Sequence, residues 1–386
     1  MKITHIALCG NVTDGLSYQD NLLPKYHHRL GYEVSMITSK FIWDTAGGIA
    51  IDDRSEYINE YGIKTIRLEN KSSLFIDKKF RRYKDLIRTL EREEPDIIFI
   101  HGVQFLDIYK VVGYLKTNKN VRVFVDNHAD FSNSANNWIS KNILHKQIWK
   151  RCAQYIEPYT TKFFGVLPAR VDFLKEMYQL PEEKIELLVM GADDDQIKRT
   201  VERDSRSKIR NRYNIEQDTF LIVTGGKIDA AKRQILLLME SVKLLENKNI
   251  KLLVFGSVIS ELKKDVENLS DGNIIQYIGW ISSEESYEYF SAADLVVFPG
   301  RHSVFWEQVA AQGVPMLLKW WEGTTHLDFG GNVQFLMEDS TQEIKNLIEE
   351  LYKDRTKYEL MQLKATSENK NIFLYSKIAN KSLDFK

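Results

Sequence analysis

The segment Thr224-Gly225-Gly226-Lys227-Ile228-Asp229-Ala230-Ala231-Lys232-Arg233 has the residues of an anion site. Two glycines let backbone approach a ligand, a following helix start offers unpaired amides, and Lys227 and Lys232 can bracket a diphosphate from two sides. A merely solvated basic helix start is the poorer reading, because cations are disfavoured at that end of the helix dipole unless an anion intervenes. The spacing is neither that of a P-loop nor Gly-x-Gly-x-x-Gly.

A second constellation runs from Phe298 to Pro315 and places Ser303, Glu307 and Gln308 around the start of a short helix. A carboxylate or amide here could bond the vicinal hydroxyls of a ribose. The plainer reading of Glu307 is a charge complementing the helix dipole. The loop Trp320-Trp321-Glu322-Gly323-Thr324-Thr325-His326 brings Thr324 among aromatic side chains, fit to line a sugar or base pocket or to wedge between domains. In the first half, Asp126-Asn127-His128-Ala129-Asp130 gathers two carboxylates, an amide and an imidazole at a strand end, which points to a ligand role for His128. Gly10, opening the loop after the first strand, and His101-Gly102 after the fourth are weaker signals, each equally readable as an ordinary turn.

These segments need rigid elements to aim them. Short runs of Ile, Val and Phe alternate with longer amphipathic stretches, the pattern of repeated strand-helix-strand units. It predicts strands over 4–9, 33–38, 64–68, 96–101, 122–126, 162–166 and 185–189, with helices over 18–30 and 78–92. After a polar stretch near Gly191 the alternation restarts, with strands over 220–224, 251–255, 274–278, 295–298 and 315–319. Helices are expected over 231–245, 260–269, 283–291, 305–312 and, as one long piece, 341–364. The fold class is therefore α/β, two Rossmann-like doubly wound domains facing across a cleft. We divide the chain at 1–195 and 196–369, with a last helix about 370–386 packing back on the first domain.

The 386 residues exceed what one core usually organises. With 53 basic against 54 acidic side chains, bulk attraction to nucleic acid is not expected. Cys9 and Cys152 read as free thiols of a cytoplasmic protein, and the apolar run at the N-terminus is a strand rather than a signal peptide. No run approaches the roughly 18 apolar residues a membrane span needs. The segment Phe75-Ile76-Asp77-Lys78-Lys79-Phe80-Arg81-Arg82-Tyr83-Lys84 mixes cations with aromatics, as would suit peripheral contact with an anionic membrane; a solvated helix face is the alternative.

The chain resembles glycosyltransferase family 4, retaining enzymes of the GT-B fold, and in particular members that assemble bacterial polysaccharides. Gly226-Lys227 and Lys232 match that family's Gly-Arg and following Lys, with Lys in place of Arg. Pro299, Ala310, Gly313 and Pro315 fit its later frame, in which Gln308 stands at the second of two acidic positions, Glu307 immediately precedes it, and the first glutamate is missing. The segment from Tyr18 to His27 with Gly31-Tyr32-Glu33-Val34 is similar to the family's N-terminal helix and second strand, and His128 lies where members place a cleft histidine.

The resemblance implies transfer, without metal or cofactor, from a nucleoside-diphosphate sugar, UDP-sugar before GDP-sugar, to a glycan or lipid-linked acceptor. Together with the residue readings above, it gives His128, Lys227, Lys232 and Glu307 as expected catalytic residues, and Gly10, Gly226, Lys227, Lys232, Ser303, Glu307, Gln308 and Thr324 as expected donor-binding ones. Lys227 and Lys232 would stabilise the diphosphate most as its charge grows in the transition state. A non-catalytic subunit that binds a glycan or a partner enzyme, motivated by the missing glutamate, and a sugar-nucleotide epimerase are the alternatives.

Overall fold

The computed structural model describes residues 1–384 apart from 45–47, 73, 75–78 and 248. The chain forms two compact units, Met1–Met190 with Ile378–Lys386, and Gly191–Lys377.

The first unit contains β1 (Lys2–Ala7), β2 (Glu33–Ser39), β3 (Phe41–Trp43), β4 (Ile49–Ile51), β5 (Glu56–Ile58), β6 (Lys64–Leu68), β7 (Ile97–His101), β8 (Arg122–Asn127), β9 (Thr160–Gly165) and β10 (Ile185–Leu187). Eight of these make one sheet in the order β10-β9-β8-β7-β1-β2-β6-β5. Every pairing in it is parallel except that of the edge strand β5 with β6. Helices cover the sheet, so its central strands read as unbroken apolar runs such as Ile97-Ile98-Phe99-Ile100, all fully buried. Strands β3 and β4 pair as a separate antiparallel hairpin.

The helix expected over 78–92 is shorter, Leu86–Glu93. Residues 75–78 of the basic segment lie outside the described residues. Past them the chain is pulled out of helical geometry because Tyr83 is needed in the core. Tyr83 is buried, its N–H donates to Asp107 Oδ2 at 2.6 Å, and its hydroxyl donates to the Leu8 carbonyl at 3.1 Å. Asn70 and Tyr83 form an antiparallel bridge, and Arg81 and Asp85 both take positive φ on either side of it. Of the cations in that segment, Arg81 is turned inward to the Gln104 carbonyl.

The second unit contains β11 (Phe220–Gly225), β12 (Ile250–Phe255), β13 (Ile275–Tyr277), β14 (Leu295–Phe298), β15 (Met316–Lys319) and β16 (Val333–Leu336) in an all-parallel sheet ordered β13-β12-β11-β14-β15-β16. The single long helix expected over 341–364 is two, Thr341–Lys353 and Arg355–Ala365. Asp354 ends one and caps the other, its side chain accepting from the Lys357 N–H at 2.9 Å. Among the described residues no helix is long and apolar enough to cross a membrane.

Strand order fixes where ligands can sit. In each sheet the order reverses at one point, between β1 and β7 in the first and between β11 and β14 in the second. The crevice beyond the carboxyl ends of such strands is the usual ligand position in open α/β sheets.

Candidate functional site

At the second switch point the loop after β11 is drawn tightly across the loop after β12. The Gly226 N–H donates to the Phe255 carbonyl at 3.1 Å, and the Ile228 N–H to that of Ser257 at 2.7 Å. The approach demands glycine: a Cβ at Gly256 would stand 1.8 Å from the Gly226 carbonyl oxygen, and both residues have positive φ. The chain then turns through a short 3₁₀ segment, Ala230–Lys232, capped by Asp229, whose carboxylate accepts from the Ala231 N–H at 3.0 Å.

This turn sets Lys232 back toward the sheet. A Cβ at Gly226 would lie 4.0 Å from Lys232 Nζ, and one at Gly300, in the loop after β14, 3.4 Å from Lys232 Cα. Lys232 is half-buried and, among the described residues, its ammonium makes no hydrogen bond or ion pair. Burial pulls its pKa below the ordinary lysine value, with Asp229 opposing and the nearby Lys227 reinforcing the shift. Lys227 is exposed, 4.0 Å from Asp229. Two cations are thus held close together at a glycine-lined switch point, one of them partly desolvated and outside any ion pair, with Asp229 the acid acting on both.

The second constellation is organised differently. Glu307 is fully buried, and the oxygens expected to face a ribose are occupied by two histidines. His302 Nε2 lies 2.8 Å from Oε1 and 3.1 Å from Oε2, and His326 Nε2 3.0 Å from Oε1. Burial alone would raise the Glu307 pKa; His302 and then His326 outweigh it and hold the carboxyl down at about 2. The cause is a helix buried on every side: Trp306 and Glu307 to Ala311 are all buried in the helix Phe305–Gln312, so its one carboxylate has no route to solvent and must be paired. Gln308 is likewise engaged within the protein, donating to Ser286 Oγ on the neighbouring helix at 2.9 Å. Thr324 caps its own turn by donating to the Trp321 carbonyl at 2.9 Å. Ser303 is half-buried and accepts, through its carbonyl, the N–H of Trp306 at 2.9 Å. The structure therefore groups Gly226, Lys227 and Lys232, while Glu307, Gln308 and Thr324 brace the adjoining helix and loop.

The first switch point carries a denser cluster. Asp126, at the end of β8, is fully buried and takes hydrogen bonds on Oδ2 from His101 Nδ1 at 2.8 Å and Gln19 Nε2 at 3.0 Å. Its other oxygen, Oδ1, faces His128 Nε2 at 3.3 Å, and neither atom has a hydrogen-bond partner among the described residues. Burial favours the neutral acid, but His101 and then His128 reverse this and keep Asp126 well below the carboxylate range. Asp20 Oδ1 lies 3.5 Å from His101 Nδ1 and 4.0 Å from His128 Nε2. Elsewhere in this motif Asn127 donates to the Ala129 carbonyl at 2.8 Å, and Asp130 pairs with Arg170 at 3.2 Å, so both shape the loop. Gly10 is exposed and a Cβ there meets only Asp20 Oδ2, at 3.8 Å. Nothing local requires glycine at that position.

Comparison with known proteins bears on the second unit first. Residues 205–368 match the model of the glycosyl transferases group 1 family. That segment spans the Gly226-Lys227-Lys232 cradle and the Glu307 helix, and leaves the first unit unmatched. No curated protein sequence matches the chain.

Solved structures match over both units. The Anabaena protein HepE, in complex with UDP, is 14% identical, with 99% of this chain and 98% of that one covered and a TM-score of 0.71. Sucrose-phosphate synthase from Thermosynechococcus elongatus is 15% identical, with 98% and 96% covered and a TM-score of 0.69. UDP-GlcNAc 2-epimerase from Neisseria meningitidis, bound to UDP-GlcNAc, is 13% identical, with 99% of both chains covered and a TM-score of 0.63. The fold is thus the α/β, two-domain GT-B fold with Rossmann-like parallel sheets.

Sequence reasoning singled out His128, Lys227, Lys232 and Glu307 but not the groups around them. His302, five residues before Glu307, was open to notice. His326, nineteen residues after it, reaches Glu307 only through the tertiary fold.

Proposed function

We propose that this protein transfers a glycosyl group from a nucleoside-diphosphate sugar, a UDP-sugar in the first instance, to a glycan or lipid-linked sugar acceptor, with retention of anomeric configuration. In this reading Gly226, Lys227 and Lys232 hold the donor diphosphate, Ser303 lies beside it, and Asp126 and His128 of the first unit bind sugar hydroxyls. The observation that carries it is Lys232: a half-buried lysine whose ammonium makes no ion pair or hydrogen bond among the described residues, beside Gly226 and Gly300. Leaving-group charge develops on the diphosphate, so cations fixed there lower the barrier without reorganising. The match of residues 205–368 to the glycosyl transferases group 1 model and the binding of UDP by HepE support the same reading. Glu307 acts by holding His302 and His326, a bracing role rather than a contact with the donor.

Calorimetric titration with UDP, GDP, ADP and their sugar conjugates, without added metal, tests it. Selective binding of one diphosphate that is lost in Lys232→Ala is expected, followed by product formation only when an acceptor is supplied. Absence of binding to every nucleotide by folded protein would sink the donor site. Conversion of a UDP-sugar without acceptor would instead favour epimerisation, the activity named for the Neisseria relative.

A further inference from the structure

Behind Asp126 the first unit contains a row of hydrogen-bonded side chains from five separate segments. His101 Nε2 is 2.9 Å from His5 Nδ1, His5 Nε2 is 3.0 Å from His27 Nδ1, and His27 Nε2 is 2.8 Å from Ser382 Oγ. All these side chains are buried. Each contact between ring nitrogens needs one proton, since two protons or two lone pairs would repel. A cation on His5 would stand one ring away from Asp126, the carboxylate that bonds His101 at 2.8 Å, which leaves two senses to weigh.

In the first sense every ring donates through Nε2 toward Ser382. His101 then gives its Nε2 proton to His5 and still carries a second proton on Nδ1 for Asp126, so it is an imidazolium. In the second sense every ring donates through Nδ1 toward Asp126, and all three histidines are neutral. The two senses differ by one proton, and that proton's charge falls on His101.

The far end of the row decides between them. The Ser382 hydroxyl donates to the Ala379 carbonyl at 2.9 Å, which leaves its oxygen to accept from His27. A hydroxyl has one proton, and with that proton on the Ala379 carbonyl His27 must present an N–H to Ser382. We infer that Ser382 and Ala379 polarise the histidine row, that the row holds His101 as an imidazolium ion-paired with Asp126, and that His5, His27 and Ser382 are positioning residues for this carboxylate. The electrostatics agree. Burial pulls His5 and His27 well down, His27 to about 3, whereas at His101 the same burial is overcome by Asp126 and then Asp20.

The groups facing His101 are Asp126 from β8, Asp20 from the helix Gln19–Arg29, His5 from β1 and, beyond Asp126, His128. With a proton on His101 Nδ1, Asp126 is balanced from behind, and Oδ1, buried beside His128 Nε2 at 3.3 Å, is the oxygen left without a hydrogen-bond partner among the described residues. An acceptor oxygen backed by a fixed cation suits a neutral hydroxyl. It does not suit a metal ion, although Asp20, His101 and His128 bring three ligand atoms within 4.8 Å of one another. The proton would stand where that ion needs a lone pair.

This deepens the sugar-binding half of the reading above, yet its test needs no substrate, so the two can fail separately. Protein with ¹⁵N-labelled histidine rings, examined at pH 7.5 by long-range ¹H–¹⁵N correlation, reports the proton on each ring nitrogen. The expected pattern is His5 and His27 neutral with the proton on Nε2, and His101 protonated on both nitrogens. His101 neutral, or a proton on Nδ1 of His5 or His27, overturns the inference. His5→Phe removes the acceptor for His101 Nε2 and should convert His101 to the neutral Nδ1–H form, while His5→Gln, which offers a carbonyl, should keep it charged. An unchanged His101 in His5→Phe overturns the role of the row. If that variant does not fold, the unmodified protein's spectrum still decides. Addition of Mn²⁺ should leave the His101 and His128 signals sharp; selective broadening of both overturns the preference for a hydroxyl.

Discussion

The two switch points solve opposite electrostatic problems. At the end of β11 two lysines sit near each other with Asp229 as the acid acting on both, and the Lys232 ammonium is outside any ion pair, so positive charge there is left in excess. At the ends of β7 and β8, Asp126 is already paired with His101 and Gln19, and a single buried oxygen is left without a hydrogen-bond partner among the described residues. One region keeps a charge uncompensated for a ligand, whereas the other is compensated from within. A site of the first kind should gain affinity from Coulomb attraction, and one of the second kind should gain orientation.

The largest effect expected from breaking this contrast comes from backbone. Gly256→Ala would drive a Cβ into the Gly226 carbonyl, and should cost about 3 kcal/mol in urea unfolding while abolishing diphosphate binding. The histidine signals of the first unit should be unchanged. Lys232→Ala comes next. Losing a charge-assisted contact should weaken diphosphate binding by about 2 kcal/mol, roughly thirtyfold. Because Lys232 has no partner in the free protein, unfolding stability should not fall. A stability loss matching the affinity loss would mean that Lys232 holds the fold rather than a ligand.

The third prediction uses pH to separate the regions. His27 is held down to about 3 in the folded protein against 6.5 when free, so between these values the unfolded chain binds more protons. The His27 contribution to stability is therefore complete above pH 6.5 and falls on acidification through that window, by about 1.4 kcal/mol per pH unit for each buried neutral ring, whereas the raised His101 contributes in the opposite sense and loses its share as pH rises above 6.5. Glu307 of the second unit works in a lower window: its stabilisation is present above 4.5 and is lost as pH falls toward about 2. Urea titrations at pH 7, 6 and 5, followed by ring signals from each unit, should show the first unit weakening before the second. Equal behaviour would contradict a neutral His27. The smallest effect is expected for Lys227→Ala. Its exposure should limit the loss in diphosphate binding to about 0.5–1 kcal/mol, and that loss should shrink further in salt.

How far the sequence disclosed these regions depended on distance along the chain. Strands such as Lys64–Leu68 and Leu295–Phe298 were legible to the residue, because buried parallel strands are written as local apolar runs. The lysine cradle was legible for the same reason: its glycines and cations follow one strand directly. The edge strand β5, the hairpin of β3 and β4, and β16 escaped notice, since short or half-exposed strands carry little apolar signal. Tyr83 overrode helical periodicity by tertiary demand. Glu307 was visible, but its burial was not, because His326 comes from another loop. The histidine row was invisible as a row. A histidine inside the apolar strand Ile3-Thr4-His5-Ile6 was its one local trace, and its members lie as far apart as His27 and Ser382.

The return of Ile378, Ala379, Ser382 and Leu383 to the first unit, where all four are buried, has a consequence for biosynthesis. A domain whose sheet is finished by residue 187 would ordinarily close while the ribosome is still making the next one. Here the acceptor that orders His27 is translated only after the entire second unit. The nascent first unit must wait, with its histidine row open at one end, and translation that stops short of residue 382 leaves the two halves of this molecule unequally finished.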